Sequence, residues 1–227
     1  MPNLWRGETD DEIRAALEVR YPSLRLARPE NRRVIMGAFN VQHTGHFLGG
    51  FQVEVLLDVP DELGLPTVRE VGGRIPRMPE RHINDKFGTA CLYLPEDLAV
   101  RVREPLGIIE FLDGPVRNFF LGQIGAEMGT PFPLGEWGHG ADGVKEMLTQ
   151  LLGSDDVGTC VAFLELLSRK VIKAHWPCPC GSGRSLRDCH DGVVRRVRQR
   201  LPLTTRRFLL ERARKHFPEG QTTRNRP

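Results

Sequence analysis

Nowhere in its 227 residues does this chain hold an apolar run approaching the ~20 residues that a membrane helix needs, so no helical span is expected. Met1 to Asp10 is polar and acidic and lacks the basic-then-apolar order of a secretory leader, which sets the expectation of a cytoplasmic protein without membrane partners. No segment repeats another. The five cysteines are odd in number, which argues against a disulfide framework in such a compartment. The composition also lacks the bias of a disordered chain: 40% of residues are hydrophobic and 27% charged. What remains is a globular protein with room for one ordinary domain plus an appendage, or for two small ones.

Charge is abundant but unevenly placed. The formal net charge is +3, yet Asp191 to Pro227 carries eleven Lys and Arg residues against three acids, and the preceding residues are net acidic. The tail therefore calls for an acidic partner. A nucleic acid held through its phosphates and an acidic protein both fit. No aromatic residues interleave with the arginines as a single-strand stacking surface requires, which favours a protein. The same segment reads structurally as a helix with Val193, Val194, Val197 and Leu201 inward and its arginines in water.

Along the chain, Thr9-Asp10-Asp11-Glu12 is a capping signal for a helix through Ile13, Ala16, Leu17 and Tyr21, stopped by Pro22. Arg33–Val41 and Gly50–Val59 read as strands; Phe51, Val53, Val55 and Leu57 alternate with Gln52, Glu54 and Asp58. Short polar turns such as His43-Thr44-Gly45-His46, with exposed histidines, predict an antiparallel meander. Pro60 to Pro95 is irregular, with one short strand expected around Val68, Val71 and Ile75. Leu106–Gln123 is helix-like, with a kink or split at Gly114-Pro115. Gly125–Gly143 is irregular, and Val144–Leu152 and Val161–Ala174 are helical. The class expected is α+β, divided into a domain over 1–174 and an appendage over 175–227 that holds a knuckle and a basic helix.

Three of the cysteines lie within twelve residues, in Cys178-Pro-Cys180-Gly-Ser-Gly183 followed by Cys189-His190. Zn²⁺ takes four Cys or His ligands in a tetrahedron at structural sites, and Cys178, Cys180, Cys189 and His190 supply three thiolates and one imidazole. Gly181 and Gly183 allow a sharp turn between the ligand pairs. Arg184 and Arg187 offset thiolate charge. With all four positions taken by protein, the zinc is expected to be structural rather than catalytic. This run closely resembles the zinc motif at the C-terminus of the SecA translocation ATPase (the SEC-C motif), which implies a small docking surface. Cys160, in an apolar stretch, is expected in the core.

Cys91 stands in His82-Ile83-Asn84-Asp-Lys-Phe-Gly88-Thr-Ala-Cys91-Leu92-Tyr-Leu. From the residues alone it is either a small buried core cysteine or a loop nucleophile. The order helix, strand meander, Gly49-Gly50-Phe51 strand, proline-bearing segment, His-x-Asn and Gly-x-x-Cys-Leu resembles the ubiquitin-conjugating enzymes over roughly residues 10 to 125. That family has His-Pro-Asn where this chain has His82-Ile83-Asn84, and its loop is about one residue longer. With the knuckle attached, the chain is similar to divergent bacterial members of antiphage defence systems, including those in which such an enzyme modifies a nucleotidyltransferase.

The resemblance implies Cys91 as the thioester-bearing residue, Asn84 as an amide that steadies the oxyanion or braces the loop, and His82 in a mainly structural place. It implies an activating enzyme, a ubiquitin-like modifier and a target protein as partners. Glu96 and Asp97 are candidate acids for orienting an amine, or a solvated helix start. Trp137 and His139 are a candidate cover and base, or ordinary packing. A catalytically inactive adaptor of the same fold, working through knuckle and tail, and a Cys–His hydrolase remain as competing readings.

Overall fold

The computed structural model describes residues 1–84, 87–130, 138 and 140–218. These divide into two compact units. One takes in Asn3–Tyr93 and Val102–Glu136; the other takes in Met1–Pro2, Leu94–Arg101 and the described residues of Trp137–Pro227. The division expected at residues 174/175 falls inside the second unit, because the helices on either side of that point pack together.

The first unit is a sheet with helices. Thr9 caps α1 (Asp10–Arg20): its hydroxyl accepts from the Glu12 N–H, and the Glu12 carboxylate accepts from the Thr9 N–H. Ile13 and Leu17, four apart on one face, are buried against the sheet side. Four strands, β1 (Leu24–Ala27), β2 (Val34–His43), β3 (His46–Pro60) and β4 (Pro66–Glu70), pair antiparallel in succession. This is the expected meander. The β2–β3 turn runs through Thr44 and Gly45, both at positive φ, and leaves His43 and His46 exposed. Along β3 the alternation holds at Phe51, Val53 and Val55, each at most 1% exposed, until the register shifts beyond Leu56. Val68 lies buried in β4, whereas Val71 falls beyond it and is half exposed.

Two short strands complete the sheet. β5 (Ile83–Asn84) and β6 (Thr89–Ala90) form a hairpin, and the six strands lie in the order β1-β2-β3-β4-β6-β5. Over the sheet runs one continuous helical stretch: α3 (Ile108–Phe111), a π-helical segment (Leu112–Val116) and α4 (Arg117–Glu127). Gly114-Pro115 neither breaks nor splits it. The widened turn takes in a residue that has no N–H to give. Phe120 then stacks on Phe51 at 4.5 Å and lies 5.3 Å from Phe39. Asp113 of the widened turn accepts from the Tyr21 hydroxyl at 2.6 Å.

The second unit is helical. It comprises α2 (Pro95–Arg101), α5 (Ala141–Leu152), α6 (Val157–Leu167), a cysteine-bearing hairpin, α7 (Asp191–Arg200) and α8 (Leu203–His216). α6 ends at Leu167, well before Ala174. It packs on α5, α7 and α8, burying Phe163, Leu164 and Leu167 with Leu148, Leu152, Val194, Val197, Phe208 and Leu209. Cys160 lies in this core as expected, its thiol 3.2 Å from the Ser154 carbonyl oxygen. Pro202 divides the basic tail into two helices. Val194, Val197 and Leu201 point inward as expected and Arg195, Arg196, Arg198 and Arg200 are exposed, but Arg206 is buried and Arg212 largely so. No described helix is long and apolar enough to cross a membrane.

Candidate functional site

Cys91 closes the β5–β6 hairpin. The register pairs Ile83 with Ala90 and Asn84 with Thr89, and one step further the Cys91 N–H donates to the His82 carbonyl at 2.8 Å. Strand alternation carries Asn84, Thr89 and Cys91 to one face and Ile83 to the other. The burial agrees: Ile83 is 5% exposed, while Asn84 and Cys91 are both exposed. The turn closes with the Gly88 N–H on the Asn84 carbonyl at 2.7 Å, Gly88 standing at φ +63° where a Cβ would be strained. His82 is itself left-handed, at φ +53°.

Both ends of the hairpin are fastened by partners far away in sequence. Before it, Arg81 and Gln123 of α4 bind reciprocally: Arg81 Nε donates to Gln123 Oε1 at 2.8 Å, and Gln123 Nε2 donates to the Arg81 carbonyl at 2.8 Å. Gln123 is fully buried, so its amide has no competing water. After it, the Tyr93 hydroxyl donates to Asp61, whose other oxygen accepts the Leu63 and Leu65 N–H groups. Burial and the Asp61 charge push the Tyr93 phenol far above its ordinary pKa, so it stays a donor. None of these four bracing residues carries a motif. The hairpin lies inside the stretch expected to be irregular, and only the fold supplies Gln123 and Asp61.

Cys91 is an exposed residue, yet enough protein surrounds its sulfur for desolvation to raise the thiol pKa above its ordinary value. The site therefore presents an accessible thiol, mostly protonated at neutral pH, on a held ledge.

The structure brings His82, Asn84 and Cys91 into one hairpin, but it does not add Glu96. That side chain is neither a solvated helix start nor an acid free to meet an amine. It is fully buried in the helical unit, where Oε1 accepts from Arg212 Nε at 2.5 Å and stands 3.9 Å from His216 Nε2. Asp97 pairs with Arg101 at 2.8 Å. Trp137 and His139 lie outside the described residues.

The second candidate site is the cysteine hairpin of the helical unit. Pro177 and Ser185 form an antiparallel bridge, with the Cys178 N–H on the Arg184 carbonyl at 2.9 Å and the Leu186 N–H on the Trp176 carbonyl at 2.8 Å. Gly181 and Gly183, at φ +74° and +73°, make the turn. The chain then folds back through Leu186, which is 1% exposed, to bring Cys189 and His190 over the turn. The ligand atoms of Cys178, Cys180, Cys189 and His190 all lie within 4.8 Å of one another. Cys178 Sγ is 3.3 Å and Cys189 Sγ 3.1 Å from His190 Nδ1, and Cys180 Sγ is 3.5 Å from Cys189 Sγ.

A tetrahedron with bonds of about 2.0–2.3 Å has edges of about 3.3–3.8 Å, and the three spacings lie within or just below that range, close enough for four ligands around one small cation. The His190 ring, at the entry of α7, packs edge-on against Phe163 at 5.3 Å, which fixes its plane. Ser182 Oγ and Arg184 Nη2 lie 3.3 and 3.4 Å from Cys189 Sγ, two polar groups suited to a thiolate. Arg187 shows no such contact. The four residues can thus hold a metal ion.

Comparison with protein-family models, with curated proteins and with solved structures finds no match to this chain.

Proposed function

We propose that this chain is a ubiquitin-conjugating-enzyme-like transferase of a bacterial antiphage defence system, with a SecA-type zinc knuckle and a basic tail as its docking appendage. The observation that carries this reading is the exposed Cys91 thiol on a hairpin pinned at both ends, with Asn84 on the same face. The Cys91 thiol, losing its proton, attacks the thioester linking a ubiquitin-like C-terminus to an activating enzyme, and that enzyme's thiolate leaves. A target amine then attacks the new thioester. The tetrahedral adduct carries negative charge on oxygen, and the Asn84 amide is the donor that steadies it. Collapse forms the amide and expels the Cys91 thiolate. Thiol exchange does not demand an acidified cysteine, which accommodates the raised pKa.

Zinc, held by Cys178, Cys180, Cys189 and His190, orders the knuckle and performs no chemistry. The basic tail docks an acidic protein, such as a nucleotidyltransferase target. A second reading, an inactive adaptor of the same fold, is favoured by two observations: the thiol is harder to ionise than a free one, and a buried Ile83 stands where the family has proline.

The test is incubation with cognate activating enzyme, ATP and modifier, followed by electrophoresis with and without thiol reductant. A reductant-sensitive adduct absent from Cys91→Ala is expected for the transferase. An Asn84→Ala variant that still loads but discharges slowly assigns the amide. Unloaded wild-type protein beside a loaded control enzyme leaves the adaptor.

A further inference from the structure

Three arginines of the tail gather at the carbonyl end of α6. Arg206 Nη1 donates to the Leu167 carbonyl at 2.6 Å, Arg207 Nε to the Ser168 carbonyl at 3.3 Å and Arg198 Nη2 to the Lys170 carbonyl at 3.2 Å. A helix C-terminus carries partial negative charge and welcomes one cation, but its roughly half-unit charge does not balance three. No carboxylate among the described residues lies within ion-pair distance of any of them. Arg206 is only 7% exposed, and its Nε is buried with no hydrogen-bond partner. Burial, and then the charges of Arg198 and Arg207, hold its pKa below the ordinary arginine value. A buried cation, flanked by two more and with a donor unspent, is unfavourable unless an anion completes it.

We propose that Arg198, Arg206 and Arg207 form a binding site for the phosphate group of a ligand. Arg198 and Arg207 are exposed, and their carbonyl partners, at residues 170 and 168, lie within three residues of the Leu167 carbonyl that holds the buried Arg206. Arg198 also borders a surface groove with Arg195 and Gln199, which leaves space for whatever bears the phosphate. Phosphate suits the cluster better than carboxylate. It offers three or more acceptor oxygens and up to two charges, and guanidinium forks from three side chains match that count. The proposal is independent of the chemistry at Cys91.

The experiment titrates the full-length protein with pyrophosphate by calorimetry at fixed ionic strength, and with a labelled short single-stranded DNA by anisotropy. Arg198→Gln/Arg207→Gln leaves the buried arginine in place; Arg196→Gln/Arg200→Gln removes the same charge from the same tail, outside both the cluster and the groove. Saturable binding that weakens by about tenfold or more in the first variant, and less than about threefold in the second, supports the site. Pyrophosphate binding identifies a free or terminal phosphate as its ligand; DNA binding that pyrophosphate does not displace identifies a phosphodiester. Arg206→Met, checked for folding by circular dichroism, should lose binding as well. Absence of saturable binding to either probe, or equal losses in the two double variants, overturns the proposal.

Discussion

The buried contact between α2 and α8 supports a quantitative forecast. Glu96 is fully buried, the Arg212 side chain is 14% exposed, and they meet at 2.5 Å. At an effective dielectric constant near 20 the attraction of such a pair is about 4–7 kcal/mol, and it is set against several kcal/mol of lost hydration for each ion. The net value of the pair is therefore small, but the cost of breaking it is not. Arg212→Ala leaves a carboxylate in the helical interior without its hydrogen-bonded counterion. Glu96 Oε2 already lacks a partner, and His216 Nε2 at 3.9 Å is too far to replace the lost bond. The expected loss is about 3–5 kcal/mol. With a denaturant slope of about 2 kcal/mol per M, the urea midpoint of the helical unit falls by roughly 2 M. Glu96→Met/Arg212→Leu, which removes both charges, should return to within about 1 kcal/mol of wild type. A loss below about 1 kcal/mol for Arg212→Ala, the value of a solvent-screened surface pair, would refute the reasoning.

Two further outcomes are expected. Because burial raises the Cys91 pKa, the thiolate is scarcer at neutral pH than in an unstructured peptide. Its alkylation by iodoacetamide, followed residue by residue with mass spectrometry, should be slower than a peptide thiol at neutral pH. It should then climb about tenfold per pH unit until the raised pKa is reached. Faster alkylation than the peptide at neutral pH would contradict the placement of the sulfur. Elemental analysis should find about one zinc per chain, lost in Cys189→Ser, and affinity should fall as pH drops because protons compete for the thiolates. A chelator-stripped protein that melts unchanged would remove the metal from the account of the hairpin.

The parts that were legible beforehand share one property: their causes lie within a few residues. The capping box of α1 closes between Thr9 and Glu12. The alternation of β3 is written at every second residue, and the tight turns of the meander keep neighbours adjacent. The knuckle gathers four ligands from thirteen residues, two of them side by side. Where expectation and structure parted, the deciding partner was distant or the backbone adjusted. Gly114-Pro115 predicts a kink or split, but the helix widens by one residue to take the proline in.

Glu96 shows the same divide most sharply. By itself it belongs to an exposed, acidic first turn, and it is buried because Arg212, 116 residues onward, arrives with the charge that makes burial tolerable.

The amino-acid order alone thus settled the start of α1, the strand alternation, the grouping of three cysteines with a histidine and the uneven charge, since each depends on short-range geometry and chemistry. Tertiary packing alone decided that Gln123 and Asp61 brace the Cys91 hairpin, that Glu96 is withdrawn from solvent, and that three arginines crowd the end of α6. Desolvation and pairing depend on which atoms surround a group in space, and for these residues the surroundings come from remote segments of the chain.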